Sequence, residues 1–278
     1  MKFRLRHLFL TLFLLLAALP APGQGKVYTR KLRLADFPAR TTKVVLGGNP
    51  FLELTLREAV AVHWRISPYE FCTPEEYGRL ASSSSYYFLT LAQDRGILFL
   101  ILSKGGKEGE KDQLKQTFEV VRIPIAGADD PGGRELVLMG AFLDIIQRFI
   151  EEAMTSDRVS YGGLSAYSRK LLRDKGKKLV LSEDDLASNV KQDPSWSESG
   201  IRILDEDDAD ALFTEGAENV MVSYVVAPTD PGKGAVCYKM VISADTHELC
   251  YFEKHVVKGN APAGFLPFDL KIISLQRK

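Results

Sequence analysis

Along this chain, stretches with a helical hydrophobic period alternate with short, nearly continuous apolar runs. That is the pattern of helices interleaved with buried strands. Residues 26–40 are basic and read as an extended lead-in. Residues 43–46 form a short β-branched run ending at Gly47-Gly48, a predicted strand. After Asn49 and Pro50, the residues Leu52, Leu56, Ala59, Val60 and His63 fall on one helical face. Residues 64–71 read as a strand. In Thr73-Pro74-Glu75-Glu76, Thr73 fits an N-cap, Pro74 the first helical position and Glu76 the acid of a capping box. Residues 86–92, 97–102 and 118–125 then read as three buried strands, the first two joined at Asp94-Arg95-Gly96. Residues 104–113 are a loop rich in glycine and charge, and 126–134 a Gly/Pro/Asp loop. A long helix is predicted over 135–154. Its apolar face carries Leu138, Phe142, Ile145, Ile146, Phe149 and Ile150, and Asp144, Arg148, Glu151 and Glu152 point outward.

Residues 156–177 are polar and contain Gly162-Gly163, the best candidate for a boundary between units. Residues 178–181 read as a strand. Ser182 then caps a helix with Glu183, Asp184 and Asp185 in its first turn. After a loop at 193–199, residues 200–204 form a strand and Asp205 caps the next helix. Residues 220–226, 235–242 and 249–256 are strands, and 265–274 read as one more strand.

The second half repeats the order of the first. At a shift of 132, Tyr69 meets Ile201, Cys72 meets Leu204 and the cap Thr73 meets the cap Asp205. One residue further on, Tyr87 to Leu91 meet Val220 to Tyr224. Each unit reads β-α-β-α-β-β-β. The fold class expected is α/β, with α+β as the alternative: two related units and an extra long helix between them. The units divide as 24–158 and 159–278. The long helix is expected to pack across the first sheet or between the units.

Residues 1–23 read as a cleavable signal peptide. Lys2, Arg4 and Arg6 give a basic start, residues 8–19 are apolar except Thr11, and Ala21 and Gly23 are small residues before a cut. The apolar run is shorter than the roughly 20 residues of a bilayer span. Cleavage removes three basic residues and no acidic ones, taking the net charge from zero to −3. This balance argues against a nucleic-acid partner and against a basic membrane-binding surface. With only Cys72, Cys237 and Cys250, one bridge at most can form. Cys237 and Cys250 flank a hairpin turn, but their register is off, so free buried thiols are expected.

No constellation carries chemistry. The run Asp205-Glu206-Asp207-Asp208-Ala209-Asp210 fails as an EF-hand, with Ala209 at position 5 and Gly216 at position 12. It reads as a helix cap. His63, His247 and His255 show no i, i+4 spacing; His247 sits in a turn that suits a residue tolerating positive φ. There is no GxSxG, and Ser82 to Ser85 is a connector. A dyad of Cys72 and His63 is disfavoured because Cys72 aligns with Leu204, a core position. The clusters Gly105-Gly106-Lys107, Gly132-Gly133 and Gly232-Lys233-Gly234 lack phosphate-loop spacing. No catalytic, cofactor or metal residue is therefore assigned and no cofactor is expected, while a metal site assembled from residues distant in the sequence stays open.

The segments Leu56-Arg57-Glu58-Ala59-Val60, Trp64, Ser67-Pro68-Tyr69-Glu70-Phe71, Glu75-Glu76-Tyr77 and Lys178-Leu179-Val180-Leu181-Ser182-Glu183-Asp184-Asp185-Leu186 resemble exported Bacteroidetes proteins of unknown function. The architecture is also similar to periplasmic domains of the TolB amino-terminal and CsgG type, which implies envelope assembly and protein contacts. The expected function is a secreted or periplasmic envelope binding or assembly module without enzymatic activity, with another envelope protein as partner. A small-ligand binder with a cleft between the units is second, and an envelope hydrolase third. Intact-mass spectrometry of the protein from its native host should find a species beginning near Gln24. A cytosolic species retaining residues 1–19 would refute export.

Overall fold

The structure, a computed structural model, describes residues 34–106, 117–129, 133–168, 170–172, 176–190 and 200–277. The signal-peptide reading, the loop at 193–199 and most of the lead-in lie outside them. The protein is α/β, built from two five-stranded mixed sheets. The first contains β1 (Thr41–Val45), β2 (Tyr69–Cys72), β3 (Tyr86–Asp94), β4 (Ile97–Lys104) and β5 (Phe118–Gly127), in the order β2-β1-β3-β4-β5. The second contains β6 (Lys178–Ser182), β7 (Ile201–Leu204), β8 (Val220–Val226), β9 (Val236–Ser243) and β10 (Leu249–Val256), in the order β7-β6-β8-β9-β10. In each, the first strand lies parallel between the second and third, and the last three form an antiparallel meander. The two units thus share strand order and pairing sense.

Helix α1 (Pro50–His63) starts on the Asn49 side chain, which accepts from the Phe51 and Leu52 amides, and buries Leu52, Leu56 and Val60. Helix α2 (Pro74–Leu80) opens with the expected capping box between Thr73 and Glu76. The expected long helix is two: α3 (Arg134–Val137) and α4 (Met139–Thr155), broken at Leu138 where ψ is 1°. Helix α5 is Asp157–Gly162, α6 is Glu206–Thr214 and α7 is Pro267–Arg277. The Asp205 carboxylate caps α6 by accepting from the Asp208 amide.

Several expectations need correction. Leu34 and Phe37 are buried in a helical turn, not an extended lead-in, because they fill the edge of the first core. Residues 64–68 are not a strand. The Trp64 indole N–H donates to the Ser67 hydroxyl at 3.1 Å and folds them into a turn. Within the polar segment 156–177, Val159, Leu164, Tyr167 and Leu171 are buried. Ser182 caps only a single 3-10 turn, Glu183–Asp185. Residues 267–277 are helical rather than a strand. Leu270 and Ile273 are buried three positions apart, and the Asp269 carboxylate accepts the Leu266 amide at 2.8 Å. The cysteines are as expected: all three are free and buried, and Cys237 lies opposite His255, out of register with Cys250.

The strand alignment moves by one residue. Thr42 pairs with Tyr69 and Tyr87, and Leu179 pairs with Ile201 and Met221. If Tyr69 matches Ile201, Tyr87 matches Met221 and not Val220. The side chains confirm it. The main core holds Val44, Tyr87 and Leu89 with the inner residues of α1 and α4, and from the second sheet Val180, Val222 and Tyr224 with Ala209 and Phe213 of α6. Phe88 points the other way and meets Tyr77 of α2 edge-on at 5.0 Å. Leu181 and Met221 point away from the main core into a second one with Leu270 and Ile273 of α7. The first unit therefore packs through its α1 face and the second through its α6 face, which corresponds to the α2 face of the first. The units join by non-equivalent faces.

Substituting Thr73 or Asp205 by alanine should each cost about 1 kcal/mol, the usual loss for an N-cap. Urea unfolding of the two variants measures it. A change near zero for both would show that neither side chain holds its helix.

Candidate functional site

Two polar clusters sit where the units meet, and both draw on α4 or the turn before it. The first is built on Arg134. Its guanidinium grips Asp210 of α6 with two parallel bonds, Nε to Oδ2 at 2.9 Å and Nη2 to Oδ1 at 2.9 Å. Nη1 reaches Asp185 at 3.2 Å and Glu206 at 3.4 Å, and the group lies 4.9 Å from the centre of the Tyr224 ring. Asp185 also accepts from the Ser223 hydroxyl and, at 3.0 Å, from the Val225 amide. Burial works against the Arg134 charge, but Asp185, Asp210 and Glu206 outweigh it and hold its pKa above the ordinary value. Burial pushes the Asp185 and Glu206 carboxyls up, against the pull of Arg134. Beside this cluster a cavity of about 270 Å³ opens, lined by Arg134, Glu135, Asp184, Glu206 and Tyr224 among others.

The acidic run at 205–210 does what its composition suggests in part. Asp205 caps the helix, whereas Asp210 and Glu206 turn to Arg134. An Arg134 partner for them could not be read from spacing, because 76 residues separate Arg134 from Asp210.

The second cluster joins His63, Asp144 and His247. His63 is the last residue of α1 and Asp144 lies near the start of α4. His247 occupies the β9–β10 turn with φ of 55°, the left-handed conformation its position suggested. The Nδ1 atoms of His63 and His247 lie 3.0 and 2.8 Å from Asp144 Oδ2. Asp144, expected to point outward, is thus shared between two imidazoles. Its carboxyl is raised by burial, but the two histidine bonds outweigh this and hold it below the usual range.

The surroundings fix all three groups. Gln147, one turn along α4 and buried, donates to Asp144 Oδ1 at 3.3 Å and to the His63 carbonyl at 2.9 Å. Its Oε1 accepts the Arg65 and Ile66 amides at 2.7 and 3.1 Å. The His247 ring stacks on Phe213 of α6 at 5.4 Å. Gly140 provides room for the His63 ring, since a Cβ there would come within 2.5 Å of Nε2. The three residues come from separate segments, so no local motif marks them. The one sequence signal is that His63 falls at the end of a predicted helix and His247 in a predicted turn.

His255 is elsewhere, on β10, with Nε2 2.9 Å from the Pro262 carbonyl. Cys72 is buried on the α2 side of the first sheet, where burial raises its thiol pKa. His63 is committed to Asp144, which leaves the dyad of Cys72 and His63 without a geometric basis. Gly105 and Gly106 serve packing: a Cβ on Gly105 would come within 2.2 Å of the Ser83 carbonyl. No helix among the described residues is long and apolar enough to cross a membrane. Comparison with family models, curated proteins and solved structures finds no match.

Removing the Arg134 charge leaves Asp185 buried and unpaired. Arg134→Met should destabilise the protein by about 3–5 kcal/mol, and Asp185→Asn added to it should recover part of the loss. Chemical denaturation of the two variants checks this. A cost below about 1 kcal/mol would mean that the cluster contributes nothing to joining the units.

Proposed function

We propose that the chain is an exported envelope module without enzymatic activity, and that it docks another envelope protein through the outer face of α1. The carrying observation is a row of exposed apolar side chains there: Phe51 at 73%, Leu54 at 56% and Val62 at 61% exposure. They recur at roughly helical spacing on the side opposite Leu52, Leu56 and Val60, so the helix is apolar on two faces while one sheet covers only one. Covering each fully contributes about 1.5–3 kcal/mol. Arg57 and Glu58, also exposed, add both signs of charge. Glu58 stands between Leu54 and Val62 on this face, so the complementary surface is an apolar protein face that also offers a polar or cationic group, rather than a polyanion or an anionic lipid. The basic start and apolar run of residues 1–23 support export, and the resemblance to exported Bacteroidetes proteins and TolB-type or CsgG-type domains supports an assembly role. The shared strand order of the units supports descent by duplication.

The cavity beside Arg134 favours small-ligand binding as the second reading. Of its charged groups, however, Arg134, Asp185 and Glu206 are engaged with one another, as a join between units requires.

Photo-crosslinking in the native host decides between them. A photoreactive residue at Phe51 or Leu54 should give a defined adduct with a second protein. One at Arg202, exposed in the other unit, should not. Leu54→Ser should remove the Phe51 adduct. Adducts equal at all three sites, none at all, or only one of twice the chain's own mass would overturn the proposal.

A further inference from the structure

We propose that His63, Asp144 and His247 form a binding site for one divalent first-row transition-metal ion, zinc being the probe of choice, that ties the two units together. The site offers two imidazole nitrogens and one carboxylate oxygen, all three ligand atoms within 4.8 Å of one another. Ligands about 2.0–2.2 Å from an ion stand roughly 3.0–3.5 Å apart. Of the two histidine-to-carboxylate separations, 3.0 Å lies at the lower end of that range and 2.8 Å just below it. The third separation, between the two imidazole nitrogens, is within 4.8 Å, and binding an ion requires the two rings to turn toward a common point beside Asp144. Each neutral imidazole gives its Nδ1 lone pair once its proton resides on Nε2, and the carboxylate supplies one negative charge. Two nitrogen ligands select transition ions over calcium and magnesium, which take oxygen.

The supporting shell is that of a built site. Gln147 fixes the unshared carboxylate oxygen of Asp144 and, through the His63 carbonyl and the Arg65 and Ile66 amides, the end of the helix that carries His63. Phe213 holds the plane of the His247 ring, and Gly140 admits the His63 ring against α4. The three side chains are each about a quarter exposed, at 28%, 28% and 26%, so solvent can complete the coordination. An ion here bonds α1 and α4 of the first unit to the β9–β10 turn of the second. It needs no partner on α1 and stands independently of the docking surface.

The test is isothermal titration of the exported protein, purified without a histidine tag, with Zn²⁺, and with Mg²⁺ and Ca²⁺ as controls. Expected is one Zn²⁺ per chain, no saturable response to Mg²⁺ or Ca²⁺, and a higher melting temperature with Zn²⁺ bound. Asp144→Asn and His247→Asn should each weaken binding by about 100-fold or more; asparagine retains tolerance of the left-handed turn at residue 247. Bound Co²⁺ should show visible bands that are lost in both variants. Metal-free circular dichroism establishes that each variant is folded, and His63→Asn is the replacement for any that is not. Absence of saturable Zn²⁺ binding by the unaltered protein would overturn the proposal. So would binding that survives in folded Asp144→Asn and His247→Asn proteins.

Discussion

Helix α4 is the constraint on which the rest of the structure depends. Ten of its 17 residues are buried, spread too widely around the helix for one sheet to cover. Leaving half of that surface in water would forfeit several kcal/mol, because each large apolar side chain contributes about 1.5–3 kcal/mol on burial. The first sheet and α1 cover part of it. The second sheet covers more: Phe142 meets the Tyr224 ring at 5.6 Å, and residues of both sheets form one continuous core with the helix. A unit ending at α4 would be incomplete, so the two units form one body despite each having its own sheet.

That demand also explains the unequal packing of the units. The first turns its α1 face inward. The second crosses from β6 to β7 with only a 3-10 turn among its described residues, and turns its α6 face inward instead. Its other face is closed by Leu171 and the C-terminal helix α7. Two sheets of the same strand order therefore carry their apolar residues differently. Tyr87 belongs to the shared core, whereas its counterpart Met221 belongs to the second.

Polar contacts from α4 and its lead-in then select one arrangement of the second unit. Arg134 engages Asp185 and Asp210, Asp144 engages His247, and Arg148 reaches the Thr246 carbonyl at 3.2 Å. Hydrophobic burial alone tolerates sliding, because it depends on area more than direction. A bidentate guanidinium and a carboxylate shared by two imidazoles do not. Buried ion pairs add little net stability over apolar replacements, and their directionality suits fixing register.

The residues themselves determined what is local. The capping box at Thr73, the cap at Asp205, the helical period of α1 and α4, and the apolar runs of the meanders each act over a few positions, so the α/β class and the repeated order of elements were legible. Strands apolar on both faces do not reveal which face meets which core, and the alignment of β3 with β8 was accordingly off by one residue. Residues 265–274 read as a strand from the sequence, whereas packing against the second sheet puts Leu270 and Ile273 on one side of a helix. The cluster of His63, Asp144 and His247 was decided by tertiary structure alone. Its members lie 81 and 103 residues apart from Asp144 in the chain, and only the packing of α1 and the second sheet around α4 brings them within bonding distance.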